Sequence, residues 1–145
     1  MDEWPKRDVI LATLGWRIDP CAERVAIEAA LEAGGELILA NMLELPPLPL
    51  TFMLAREQAT LPHEEALDDV RAVAARAAAL GLRTELLRIT SPRPVTALLE
   101  LAGERHAGLL VLGPDRSRVS RRRLRSTARA VRRRARCLVW IAPDE

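Results

Sequence analysis

Short apolar runs alternate with stretches of helical periodicity along this chain, and that alternation restricts the fold more than any other feature. Val9 to Leu14 is a partly β-branched apolar run that stops at Gly15. From Asp19 the spacing changes: Ala22, Val25, Ala26, Ala29 and Ala33 recur at helical intervals until Gly34-Gly35. A second apolar run, Glu36 to Leu43, follows, and Pro46, Pro47 and Pro49 then predict an extended connection through about residue 61. A long helix entered near Pro62 carries Leu67, Val70, Ala74, Ala77 and Leu80 on one face and is closed by Gly81. Arg83 to Ile89 alternates like a strand near a sheet edge. Pro92 and Pro94 lead into a helix with Val95, Leu98, Leu99 and Ala102 inward. Gly108 to Gly113 is wholly apolar between its glycines, and Cys137 to Ala142 is a last strand. Leu124, Ala128, Val131 and Ala135 make one apolar stripe on the helix between them. Strands and helices in this order predict an α/β fold, a parallel sheet covered by helices on both faces. A ligand crevice in such a fold lies outside the carboxyl ends of the strands. The loops to inspect are therefore Gly15 to Pro20, the stretch after Leu43, and Gly113 to Ser126.

At 145 residues, 49% of them hydrophobic, the chain suffices for one domain spanning residues 1–145, and neither a repeat nor a linker divides it. Its two cysteines, its acidic start and the shortness of its apolar runs predict a cytoplasmic protein without a membrane span.

The formal charge of +2 conceals a segregation. Gly113 to Arg136 holds eleven Arg against Asp115 alone, a net +10, so the remainder of the chain sums to −8. Lys6 is the only lysine, which removes Schiff-base chemistry and the phosphate-binding lysine of a P-loop. With no Tyr, one Phe and three Trp, a surface that stacks unpaired bases is disfavoured.

Several chemistries of this architecture lack their residues. A receiver domain needs acids at the end of its first strand and a lysine after its last, and Leu14 stands at the first place. Gly15 is followed by Trp16, Arg17 and Ile18, so the dinucleotide glycine pattern is missing, as is the G-x-S-x-G elbow. His63, His106, Cys21 and Cys137 have no companions at metal-ligand or catalytic spacing. The segment after Gly113 is different. A glycine ending a strand, then a loop, then Ser126-Thr127 near a helix start suits an anion, because free N–H groups and hydroxyls there favour phosphate. Ser126 serves equally well as a simple N-cap.

These residues resemble the universal stress protein family. The family pattern is a strand ending in Gly, then G-x-x-G, nine residues, G-[ST], a helix and a last apolar strand. Leu109-Leu110-Val111-Leu112-Gly113 resembles its fourth strand, Arg116 stands at the second glycine, Ser126 at the third, and Thr127 at the hydroxyl. Ala135 to Ala142 resembles the final strand. The resemblance implies a Rossmann-like three-layer sandwich around a five-stranded parallel sheet of order 3-2-1-4-5. It also implies a homodimer paired through the last strand, at Cys137, Leu138, Val139, Trp140 and Ile141. An edge that apolar invites a partner on independent grounds.

By the same resemblance a nucleotide site falls at Thr13, Leu14, Gly15, Met42, Gly113, Arg116, Ser126 and Thr127. Members divide into those that bind ATP through the glycine loop and those that lack the motif. Here Leu14 replaces the usual aspartate and both later glycines are absent. The expectation is a stress-response or binding module that does not bind ATP in the usual way, no cofactor, and no enzyme beyond slow ATP hydrolysis. The alternative is ATP held by arginines such as Arg116 and Arg118 in place of glycine amides. A second alternative is an anionic partner, nucleic acid or an acidic protein, on Arg121, Arg122, Arg123, Arg125, Arg129, Arg132 and Arg133. Against it stand a merely solvated helix face and pairing with acids such as Glu64, Glu65, Asp68 and Asp69, within the chain or across a dimer.

Overall fold

The computed structural model describes residues 7–13, 18–44, 67–113 and 121–141. Leu14, Gly15, His63, Glu64, Glu65, Arg116, Arg118 and the proline-rich connection lie outside them, as do the side chains of Arg121 and Arg123. The elements are β1 (Val9–Thr13), α1 (Pro20–Ala33), β2 (Leu37–Glu44), a helix described over 67–79 (α2), β3 (Thr84–Ser91), α3 (Pro94–Glu104), β4 (Leu109–Leu112), α4 (Arg121–Arg134) and β5 (Leu138–Ile141).

All five strands are parallel, in the order β3-β2-β1-β4-β5. Every residue of β1 is buried, as the middle strand of a sheet covered on both faces must be. Alternate residues of each strand feed two separate cores. Val9, Leu11, Leu37, Leu39 and Val111 pack under α1 and α2, against Ala22, Ala26, Ala30, Val70, Val73 and Ala77. Ile10, Ala12, Ile38, Ala40, Met42, Leu110 and Leu112 pack under α3 and α4, against Leu98, Leu101, Ala102 and Val131. The result is the expected three-layer sandwich, with α2 and α4 on opposite faces of the sheet. Each fully buried Ile, Leu or Val contributes about 1.5–3 kcal/mol of transfer free energy, so the two cores dominate stability.

Local chemistry explains the ends of α1. The carboxylate of Asp19 accepts from the Cys21 N–H at 2.7 Å, Pro20 needs no donor partner in the first turn, and Gly34 closes the helix at φ 69°. The alanine-rich inner face lets α1 approach the sheet closely. Strand β3 runs to Ser91, two residues beyond the alternating pattern, because Thr90 and Ser91 pair with Leu43 and Glu44 at the end of β2. No helix among the described residues is long and apolar enough to cross a membrane.

Candidate functional site

Three connections meet at the carboxyl ends of the central strands. The Asp19 N–H donates to the Gly113 carbonyl at 2.8 Å, which fastens the start of α1 to the end of β4. The Ile18 N–H donates to Asp69 Oδ2 at 3.2 Å, which adds α2 to the same junction. A bidentate pair, Arg76 Nε and Nη2 to Glu23 at 2.5 and 2.9 Å, joins α2 to α1 nearby. That hydrogen bond holds the Arg76 pKa above its ordinary value, the attraction outweighing the opposing effect of burial.

Gly113 stands where a side chain cannot. A Cβ built there would lie 1.9 Å from Ala22 Cβ, so α1 occupies the space next to this glycine. Helix packing therefore demands glycine here, whatever else the position does.

Thr13 and Asn41 are paired in register at the carboxyl ends of β1 and β2. They are the two buried polar residues among those described, at 3% and 0% exposure. Thr13 Oγ1 and both side-chain polar atoms of Asn41 have no hydrogen-bond partner among the described residues. By the alternation of their strands both belong to the α1/α2 side of the sheet. An uncompensated buried carboxamide costs about 1–3 kcal/mol, so this pair marks a place that favours a polar guest, water included. Asn41 was not among the expected site residues. Its signal was present, since it is the one polar residue in the run Leu37 to Leu43.

Of the other positions expected at the nucleotide site, Met42, Ser126 and Thr127 lie among the described residues. Met42 is buried among Ile38, Ala40 and Leu98 on the α3/α4 side, away from Thr13. Helix α4 opens at Arg121, so Ser126 lies in its second turn and is not its N-cap. Ser126 is exposed and Thr127 half-buried.

Helix α4 turns Leu124 and Val131 inward. Arg122, Arg125, Arg129, Arg132 and Arg133 are all exposed. At about 100° per residue these five fall within an arc of about 100° on the side away from Val131. Arg134 differs, donating to Thr96 Oγ1 of α3 at 3.1 Å. Pairing of α4 with the acids of α2 inside the chain does not occur for Asp68 and Asp69, because the sheet stands between the two helices. Asp68 pairs with Arg71 instead.

At the opposite, amino end of β4 and β5 a cavity of about 330 Å³ is lined by Leu99, Ala102, His106, Arg134, Arg136 and Cys137 among others. It brings together a histidine and a cysteine that are 31 positions apart in sequence. It also adjoins the carboxyl ends of α3 and α4, whose partial negative charge the arginines offset. No group of metal-ligating side chains occurs among the described residues.

Comparison with known proteins gives one consistent result. The family model described as the universal stress protein family matches residues 19–143. Among solved structures, a universal stress protein family member from Burkholderia pseudomallei is 21% identical, with 99% of this chain and 100% of that chain covered and a TM-score of 0.68. One from Archaeoglobus fulgidus in complex with dAMP is 18% identical over 95% and 98% of the two chains, with a TM-score of 0.66. A universal stress protein in complex with cAMP is 26% identical over 98% and 100%, with a TM-score of 0.60. No curated protein matches the sequence significantly.

Proposed function

Since the chain belongs to the universal stress protein family, we propose that it is a stress-response binding module, without conventional enzymatic turnover, that does not hold ATP through a glycine loop. The start of α4 carries this reading. With Arg121 opening the helix, the amides of Ser126 and Thr127 fall inside the hydrogen-bonded ladder and offer no free N–H to a phosphate. The packing of Ala22 against Gly113 gives that glycine a structural duty that needs no ligand. Calorimetric titration with ATP at moderate salt tests the proposal. No stoichiometric heat is expected, and tight one-to-one binding overturns it.

A second reading rests on Thr13 and Asn41. Their unpartnered groups at the carboxyl ends of β1 and β2 suit a nucleotide held by side chains, with arginines such as Arg116 supplying the phosphate contacts. Structures of related proteins in complex with cAMP and with dAMP support a nucleotide as the class of guest. Stoichiometric binding abolished by Asn41→Leu would favour this second reading.

We also propose a homodimer paired edge to edge through β5. This strand is an outer edge of the sheet, and Leu138 on it is 75% exposed. Cytoplasmic placement fits a module of this kind.

A further inference from the structure

Helix α4 contains eight arginines in 14 residues and no acid in its sequence. We propose that its outer face is a docking surface for duplex nucleic acid, gripped through the phosphates without reading of sequence.

Three observations carry the assignment. The first is charge left without an internal partner. Arg122, Arg129, Arg132 and Arg133 are exposed and form no ion pair among the described residues. The acids of α2 that would neutralise them lie across the sheet.

The second is geometry. Arg122, Arg125, Arg129, Arg132 and Arg133 form one stripe of about 16 Å along the helix. That is a mean rise of about 4 Å per guanidinium, against one phosphate per about 3.4 Å along each strand of a duplex. An ordinary acidic protein surface mixes both signs of charge and does not sustain that density.

The third is what the stripe lacks. No other residue of α4 falls within that arc, and Ser126 borders it, so no aromatic group stacks unpaired bases, and no Asn or Gln reads an adenine edge. A duplex contacted by its backbone is the partner that such a surface fits.

The test is fluorescence anisotropy with a labelled random-sequence duplex of about 25 base pairs, titrated at several salt concentrations. The intact protein should bind at about 50 mM salt, and affinity should fall roughly several hundred-fold by about 200 mM, a log–log slope near −4 to −5 for some five phosphates. The Arg129→Gln/Arg133→Gln protein should lose about 2 from that slope. Both positions are exposed, and far-UV circular dichroism confirms that the variant is folded. Arg24→Gln, which removes an exposed charge from α1 on the other face, should bind like wild type. Absence of binding at the lowest salt overturns the proposal. So does a slope that the double variant leaves unchanged. A polyglutamate peptide that competes as well as the duplex at equal charge assigns the stripe to an acidic protein instead, and single-stranded DNA competing better than duplex also refutes it. The ATP titration is independent, because α4's outer face and the crevice share none of the residues substituted.

Discussion

Replacing Gly113 by Ala should destabilise the protein by about 2–3 kcal/mol, and replacing Ala22 by Gly at the same time should restore part of the loss. The magnitude follows from the junction of β4 and α1. The new Cβ would sit 1.9 Å from Ala22 Cβ, whereas nonbonded carbons meet at about 3.5–4.0 Å, so α1 must retreat by roughly 2 Å. Its N-terminus is not free to do so. The Asp19 N–H to Gly113 carbonyl bond and the Ile18 N–H to Asp69 bond both hold it in place. Overpacking a tight site costs about 1–3 kcal/mol, and stretching a hydrogen bond of this kind adds about 1 kcal/mol. Loss of unfolded-state freedom on changing Gly to Ala returns about 0.4–1 kcal/mol. In the double variant the clash disappears and a glycine in the first turn of α1 costs about 0.5–1 kcal/mol. The cycle should therefore show a coupling of about 1–2 kcal/mol between two positions 91 apart in sequence. Urea unfolding followed by far-UV circular dichroism measures all four proteins. A Gly113→Ala protein within about 0.5 kcal/mol of wild type, or a double variant no more stable than it, refutes the reasoning and returns Gly113 to a role in ligand binding.

Other outcomes follow from the same geometry. Asn41→Leu should raise stability by about 1–2 kcal/mol in ligand-free protein, because it removes two unpartnered buried polar atoms; a loss of stability in the same urea experiment shows that water or a ligand satisfies them. Val139→Pro should leave a folded monomer by light scattering. The Leu138 N–H already donates to the Gly108 carbonyl, so by alternation the Val139 N–H faces the open edge; an unchanged dimer rules out pairing through β5.

Much of the fold was legible along the chain, and for a local reason. Period and punctuation are properties of neighbouring residues: the VILAT run, the alanine spacing of α1 and the glycines around β4 each report their own element. Parallel order and burial on both faces follow from alternation, and the resemblance supplied the order of strands. Charge segregation too was a matter of counting.

The site was far less legible, because its parts meet through register and sidedness, which no window of sequence contains. Asn41 becomes Thr13's neighbour only when β2 lies beside β1 in the observed register. Gly113 reads equally well as a phosphate glycine or a packing glycine until α1 is placed against it. Ser126 passed for a helix start because the apolar stripe begins at Leu124, yet the helix begins three residues earlier, at Arg121.

The basic block shows the division most plainly. Sequence alone determined that +10 is concentrated between Gly113 and Arg136 and that an apolar stripe makes its second half a helix. Tertiary structure decided what that charge faces. The helix packs on the face of the sheet opposite α2, so the sheet and its two cores separate its arginines from Asp68 and Asp69. Charges on one chain neutralise one another only when the fold brings them to the same side, and here it carries Asp68 and Asp69 away from the arginines of α4.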